Sequence, residues 1–216
     1  MKFPNAFQGL KNVFTAQILS LIATGCTVLG AITGGLGVVA GSVATGLGGG
    51  VLVLAALVLM LLSLIFTLMG LSRASRDEAG FKGAFYCSLI QLILVVLLNI
   101  IMAFGIGGSV LKGVTNIITQ ILSILVIAYI FKGIDALAGK LGREDVSSAG
   151  HSVIVFLWVV YAVTIFCDMM SLLFPAAALF MGVIGVISFL AGIAMIVGYI
   201  LYLVHLNRAI QMLRES

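Results

Sequence analysis

The segment VLVLAALVLMLLSLIFTLMGL, residues 51–71, contains 21 consecutive residues without a charged side chain. A helix of that length rises about 31 Å at 1.5 Å per residue, which matches the hydrocarbon thickness of a bilayer. Comparable apolar runs occur at 13–33, 83–107, 115–134, 152–174 and 179–204. None of them shows the strict alternation typical of a barrel strand. The sequence therefore predicts an all-α integral membrane protein with six transmembrane helices in a single domain, residues 1–216.

The composition also indicates a membrane protein. Hydrophobic residues make up 62% of the 216-residue chain and charged residues only 8%, with a mean hydropathy of +1.32, whereas soluble domains carry about a quarter charged residues. The net charge of +4 favours attraction to anionic lipid headgroups over nucleic acid, because no basic stripe interleaved with aromatic residues lies outside the apolar runs. We therefore expect membrane lipid as a partner, no nucleic acid and no cofactor.

The positive charges predict the orientation of the chain. All 11 Lys and Arg residues except Lys112 lie at the two termini and around the second and fourth connections between apolar runs. Short cytoplasmic loops are enriched in Lys and Arg, so we expect both termini in the cytoplasm and the protein in the cytoplasmic (inner) membrane. Aromatic residues at helical spacing over 3–14 also predict a short interfacial helix, starting after Pro4, ahead of the first span.

The two longer cytoplasmic connections resemble each other. Residues 70–84 (GLSRASRDEAGFKGA) and 133–151 (GIDALAGKLGREDVSSAGH) each lead to an Arg followed by two acids and then to Ala-Gly. An even number of spans separates them, so a true repeat would be a parallel repeat of helical hairpins; chance similarity of two solvated turns is the alternative. Each pair of acids is expected to stabilise the N-terminus of the helix that follows it: Asp77 and Glu78 for the third helix, Glu144 and Asp145 for the fifth.

Two segments carry a family resemblance. MGLSRASRDEAGF (69–81) and YIFKGIDALAGKLG (129–142) resemble the loops of a family of small multi-pass membrane proteins of bacteria and archaea, catalogued as a domain of unknown function. The resemblance spans about 51–210 and leaves out the glycine-rich segment 34–50. It implies a multi-pass helical fold and brings no activity with it.

Uncharged polar residues inside the apolar runs are the first candidates for a functional site. They are Gln17, Ser20, Thr24 and Thr27 on one face of the first span, Gln91 and Asn99 in the third, and Asn116, Gln120 and Ser123 on one face of the fourth. Such a stripe either lines a path for a solute or hydrogen-bonds to a neighbouring helix. The sequence leaves both interpretations open.

Asp168 is the only acidic residue inside an apolar run, near the outer end of the fifth span. A carboxylate at that depth is costly unless it is paired or hydrated. Lys112 is the only cation on the same side, so an outer ion pair between Lys112 and Asp168 is predicted. The alternative is that Asp168 handles protons or cations.

Glycines are concentrated between the first two spans. Gly30/Gly34 and Gly37/Gly41 form GxxxG pairs, which let a second helix backbone approach closely, either within the chain or from another copy in a homo-oligomer. The segment 34–50 carries no charge, and the sequence leaves three structures open for it: an outer loop, a helix extension or a re-entrant element.

The sequence carries no recognisable enzyme site. It lacks HExxH and GxSxG, and no acid stands at metal-ligand spacing from either of its 2 histidines. We therefore expect no enzyme, no catalytic residue and no metal site. The predicted function is a small channel- or permease-like protein for ions or small solutes. The alternatives are a non-catalytic membrane assembly or accessory module and, third, an intramembrane enzyme.

Overall fold

The structure is a computed structural model that describes residues 2–40, 43–104, 108–174 and 178–216, and in these ranges it contains helices and no strand. The helices are α1 (Pro4–Ala40), α2 (Val43–Ala74), α3 (Gly80–Ala103), α4 (Gly108–Leu141), α5 (Glu144–Leu173) and α6 (Ala178–Glu215). Each of the six has a stretch long and apolar enough to cross a membrane. The prediction of an all-α, multi-pass membrane protein is confirmed.

Most helices extend beyond their predicted spans, because hydropathy marks only the apolar part of a helix. The largest difference is in α1, which has 37 residues and runs without a break through the predicted interfacial helix. Leu10 and Val13 in this part are fully buried. The prediction of a separate helix on the membrane surface is therefore wrong; the aromatic pattern belongs to the buried start of α1.

The glycine-rich segment is helical where the structure describes it. Residues 34–40 end α1 and residues 43–50 begin α2. Of the three structures left open by the sequence, these residues adopt the helix extension. Gly34 and Gly37 lie in α1, and Gly41 lies outside the described residues.

The helices form a ring in chain order. Each packs against its neighbours in the sequence, α6 returns to α1, and α4 also touches α6. The contact between α1 and α2 is by far the most extensive, whereas that between α2 and α3 is the sparsest between successive helices. The ring therefore has one strongly fixed pair and a space at its centre.

One end of the bundle, which we call the charged end, holds both termini and the α2–α3 and α4–α5 connections. Asn5 Nδ2 donates to Asp77 Oδ1 at 2.9 Å, which joins the start of α1 to the α2–α3 connection. Arg143 Nη1 lies 3.2 Å from Glu215 Oε2, which joins the α4–α5 connection to the end of α6. We call the opposite end, which contains Lys112, the far end.

The acids of the two connections lie at helix starts, but one serves a different helix from that predicted. Asp77 Oδ2 accepts the main-chain N–H of Ala6 at 2.8 Å, so Asp77 caps the first turn of α1 instead of α3. Glu144 and Asp145 occupy the first turn of α5, as predicted. Glu78 also holds its predicted place, immediately before α3.

Glu78 links two helix ends. Its carboxylate lies 2.5 Å from Lys140 Nζ near the end of α4 and accepts main-chain N–H groups of Gly80 and Ala79 at the start of α3. The hydrogen bond from Lys140, more than those N–H groups, holds the pKa of Glu78 below its ordinary value of 4.5, against the opposing effect of partial burial. The carboxylate is therefore ionised at neutral pH.

A Schellman motif ends α4. Gly142 has a φ of +67°, Arg143 N donates to Ala138 O at 2.9 Å, and Gly142 N donates to Gly139 O at 3.2 Å. This left-handed conformation disfavours residues with a Cβ. Gly142 therefore allows the sharp turn that places Arg143 beside the end of α6.

The buried core lies near the charged end. Fully buried large side chains come from all six helices: Leu10, Leu71, Phe81, Ile130, Ile134, Leu137, Leu157, Leu206 and Leu213. Many other large apolar side chains are exposed, such as Leu54 at 67% and Phe189 at 69%. Exposed apolar side chains suit a surface that faces lipid.

Small residues at every seventh position form the contact between α1 and α2. They are Gly9, Ala16, Ala23 and Gly30 in α1 and Gly70, Ser63, Ala56 and Gly49 in α2, and all eight are buried. A seven-residue spacing keeps one face of each helix in contact with the other and is typical of left-handed coiling. We call this contact the small-residue seam.

The distances show that the two backbones touch along this seam. A Cβ added at Gly9 would lie 2.5 Å from Gly70 O, and one added at Gly30 would lie 3.0 Å from Gly49 O. Between these points Ser63 Oγ donates to the main-chain carbonyl of Ala16 at 2.8 Å. Gly30, one of the glycines predicted to pack helices, thus lies against α2 of the same chain.

We expect Gly9→Ala to lower the midpoint of thermal unfolding of the purified protein in detergent by about 2–12 °C. Overpacking costs about 1–3 kcal/mol, and a chain of this size loses about 2–4 °C per kcal/mol. Gly25→Ala is the matched control, because a Cβ there meets nothing within 4 Å and should not lower the midpoint. An equal fall in the midpoint for both variants would contradict close backbone packing along the small-residue seam.

Candidate functional site

A cavity of about 480 Å³, which we call the central cavity, is lined by residues of all six helices. Its polar lining residues are all uncharged: Gln17, Ser20, Ser63, Thr67, Ser88, Gln91, Ser123, Tyr161, Tyr199 and Tyr202. The remaining lining residues are aliphatic or Met. The ring thus surrounds a space rich in hydroxyl and amide groups.

Two hydrogen bonds between helices fix the lining of the central cavity. The Tyr199 hydroxyl on α6 donates to the main-chain carbonyl of Gln17 on α1 at 2.7 Å and lies 3.0 Å from Gln17 Oε1. Gln91 Nε2 on α3 donates to Ser123 Oγ on α4 at 2.9 Å. These bonds hold four of the six helices in register at the level of the cavity.

Tyr202 places a polar atom without a partner at this cavity. The residue is only 3% exposed, and its hydroxyl has no hydrogen-bond partner among the described residues. A buried hydroxyl left unpaired costs about 1–3 kcal/mol. The Tyr202 hydroxyl is thus a buried, unpaired polar group beside the central cavity.

The structure places the predicted polar residues in three different surroundings. Gln17, Ser20, Gln91 and Ser123 line the central cavity. Thr24, Thr27 and Asn99 are exposed and donate to their own helix, to Ser20 O, Ala23 O and Val95 O respectively. Asn116 and Gln120 contact Asp168 instead.

Asp168 on α5 is held by amides of α4, near the far end. Asn116 Nδ2 donates to Asp168 Oδ2 at 2.7 Å, and Gln120 Nε2 donates to the same oxygen at 2.5 Å. The predicted ion pair is wrong, because the ion pairs in the described part of the chain do not include Lys112. Two neutral donors one helical turn apart take the place of the cation. Asn116, Gln120 and Asp168, all candidates from the sequence, therefore form one cluster.

Several cavity residues could not be identified from the sequence. Ser63, Ser88 and Tyr161 are hydroxyl-bearing residues within apolar runs, and Tyr199 and Tyr202 lie three apart in α6. The helices have no broad polar face, so no period in the sequence marks the side that turns inward. The available signal was a hydroxyl group in the middle of a span, but this signal does not distinguish a side chain that lines the cavity from one that faces lipid.

A second cavity, of about 350 Å³, lies at the charged end between α4, α5 and α6, and we call it the end cavity. Its lining includes both histidines of the sequence, His151 and His205, together with Lys132 and Asp135. Ser147 on α5 donates through its hydroxyl to Asp135 on α4. The end cavity, unlike the central one, is lined by ionisable side chains.

His205 lies at the bottom of the end cavity. It is 2% exposed, and its Nδ1 has no hydrogen-bond partner in the part of the chain that the structure describes. A Cβ added at Gly150 would lie 2.9 Å from the His205 ring, so the glycine makes room for the imidazole. His205 Nδ1 is thus a second buried polar atom without a partner among the described residues.

Phe131 lies between the two cavities. Its ring stacks on His205 with centroids 4.7 Å apart and rings 3° from parallel, and its centroid is 5.9 Å from that of Tyr202. Tyr202 lines the central cavity, whereas Phe131 and His205 line the end cavity. We call Phe131, Tyr202 and His205 the aromatic partition.

The chemistry available at these sites is hydrogen bonding. Within the described residues, no group of three His, Cys, Asp or Glu side chains could hold a metal ion. Hydroxyl and amide groups both donate and accept hydrogen bonds. The central cavity can therefore replace the hydration shell of a small polar molecule.

Comparison with protein-family models, with curated proteins and with solved structures finds no match to this chain. The resemblance of 51–210 to an uncharacterised membrane-protein family stays a prediction. The function is therefore argued from the cavities and their contacts.

We expect Gln120→Met to lower the midpoint of thermal unfolding, because it removes one of the two donors to Asp168. Loss of a hydrogen bond to a carboxylate costs about 1–3 kcal/mol, or about 2–12 °C for a chain of this size. Lys112→Gln should leave the midpoint unchanged. If Lys112→Gln lowered it more than Gln120→Met, the ion pair would be the correct account of Asp168.

Proposed function

We propose that this protein is a small permease- or channel-like transporter of neutral, hydrogen-bonding solutes. The supporting observation is the central cavity, with walls from all six helices and ten uncharged polar side chains. Helix packing alone needs polar groups only in touching pairs, such as Gln91 with Ser123. An open polar space of about 480 Å³ exceeds what such packing requires.

The absence of charge in the cavity lining favours a neutral solute over an ion. An ion that enters a membrane interior without its hydration shell needs an opposite charge or several strong dipoles. The polar lining residues are Ser, Thr, Gln and Tyr, which suit hydroxyl or amide groups of a solute. The rings of Tyr161, Tyr199 and Tyr202 would contact its apolar parts.

The end cavity and the aromatic partition suggest the route. A solute from the charged end would enter beside Asp135 and His151, pass Phe131, and reach the central cavity beside Tyr202. The unpaired atoms of His205 and Tyr202, whose rings both contact Phe131, would bind it once the Phe131 ring moves aside. The ring of Phe131 is the barrier on this route.

The orientation is part of the same proposal. The charged end collects the loops and termini that contain nearly all Lys and Arg residues, and such segments stay in the cytoplasm. We propose that both termini are cytoplasmic and that the protein lies in the cytoplasmic (inner) membrane.

Single cysteines test this orientation in a background without Cys26, Cys87 and Cys167. Ser75→Cys at the charged end is expected to be protected from a membrane-impermeant thiol reagent in intact cells. Lys112→Cys at the far end is expected to be labelled. Labelling of Ser75→Cys alone would reverse the proposed orientation, and permeabilised cells provide the control for reactivity.

Flux into liposomes tests the transport function. Swelling of proteoliposomes in glycerol or urea, followed by light scattering, should be faster than in empty liposomes. We expect Gln91→Leu to lower this flux about tenfold, since a lost hydrogen bond is worth about 1–1.5 kcal/mol. Asn99→Leu is the matched control on α3, because Asn99 is exposed and bonded to its own helix, and it should stay within about twofold.

A second variant in the same assay tests the route. Phe131→Ala should raise the flux several-fold by opening the aromatic partition, whereas Phe166→Ala, which removes a ring that is 55% exposed, should not. Absence of flux for the wild-type protein with every neutral solute would contradict the proposed function. Equal effects of Gln91→Leu and Asn99→Leu on the flux would show that the central cavity is not part of the transport route.

A further inference from the structure

A groove of about 490 Å³ lies between α1 and α6 near the charged end. Phe7, Lys11 and Phe14 line it from α1, and Asn207, Gln211 and Arg214 line it from α6. The spacings of three and four residues place each set on one helix face. We call this the basic groove.

The polar side chains of the basic groove are free to bind a ligand. Ion pairs in the described part of the chain use Lys140 and Arg143 as their cations, and neither Lys11 nor Arg214 takes part. Glu215, the residue next to Arg214, instead lies 3.2 Å from Arg143. The nearest acid in the sequence is thus engaged elsewhere, and none of the described residues that line the groove is an acid.

This lining is complementary to an anion with several oxygens. Lys11 and Arg214 are exposed cations, and the amides of Asn207 and Gln211 add neutral donors between them along α6. Guanidinium and ammonium groups together form strong, charge-assisted hydrogen bonds to phosphate. A phosphate monoester or diester fits this donor set better than a neutral ligand does.

The position of the groove favours a lipid as the source of the phosphate. It opens on the outside of the bundle, at the end of spans that are long and apolar enough to cross a bilayer. Phe7 and Phe14 provide an apolar surface next to the cations, as an acyl chain below a headgroup requires. Basic pockets between transmembrane helices are recognised binding sites for anionic headgroups.

We propose that the basic groove binds an anionic phospholipid, with its phosphate between Lys11 and Arg214 and an acyl chain along Phe7 and Phe14. The site lies on the outer surface between α1 and α6 and is separate from the two cavities. It does not depend on the transport function. A bound lipid would contact both the first helix and the last, and so strengthen the α1–α6 contact that closes the ring.

The test measures lipid binding to the purified full-length protein in an uncharged detergent, by native mass spectrometry. Phosphatidylglycerol is the anionic probe, and phosphatidylcholine with the same acyl chains is the zwitterionic comparison. We expect the double variant Lys11→Gln/Arg214→Gln to bind phosphatidylglycerol about thirtyfold more weakly, from the contribution of two cations near a headgroup. Lys11→Arg/Arg214→Lys should retain most of the binding.

The matched control is Lys82→Gln/Arg208→Gln, which removes the same charges from exposed positions outside the groove. Binding by this control should stay within about twofold of wild type. If it falls as far as the groove variant, attraction to net charge explains the binding and the site is overturned. If glycerol phosphate or inorganic phosphate competes at equal concentration, the groove binds a soluble anion, and the lipid proposal is overturned.

Discussion

The close approach of α1 to α2 is the contact on which the rest of the ring depends. Lipid is as apolar as a Leu side chain, so helices in a membrane gain little from hydrophobic burial and associate through close packing and hydrogen bonds. The seam from Gly9 opposite Gly70 to Gly30 opposite Gly49 brings two backbones together over three heptad steps. It also turns Gln17 and Ser20 on α1 toward the same space as Thr67 on α2. Packing of the pair and polarity of the cavity thus come from neighbouring faces of the same two helices.

The two ends of the bundle are held by different interactions. At the charged end, long-range contacts from Asp77, Glu78 and Arg143 tie connections to termini, above a core of large buried side chains. Near the far end, the amides of Asn116 and Gln120 hold the Asp168 carboxylate. The central cavity lies between these two fixed levels. A bundle that is fixed by contacts at both ends can keep a polar space open between them, because neither set of contacts requires side chains to fill that space.

Hydropathy was sufficient to predict six helices, because a bilayer demands long apolar segments and leaves few other structures. It was insufficient for the site. Gln17 and Thr24 lie on one helix face by sequence spacing, yet of these two only Gln17 lines the cavity. Its hydrogen-bond partner Tyr199 comes from the opposite end of the chain, so the spacing of residues within α1 could not reveal this contact. Thr24 satisfies its hydroxyl within α1, which any threonine in a helix can do. The contacts of Asp168 differ from the prediction for a related reason. The amides of Asn116 and Gln120, one helical turn apart on α4, both donate to the carboxylate, so it needs no cation as its partner.

Packing alone gives a poor account of the aromatic partition. Tyr202 and His205 lie three residues apart on α6, and each buries a polar atom without a partner among the described residues. An apolar residue of similar size at either position would contact Phe131 and avoid a desolvation cost of about 1–3 kcal/mol. Both groups contact the Phe131 ring, and each adjoins a different cavity. Two unpaired polar atoms beside one ring, each next to a different cavity, are the feature on which the proposed route between the cavities rests.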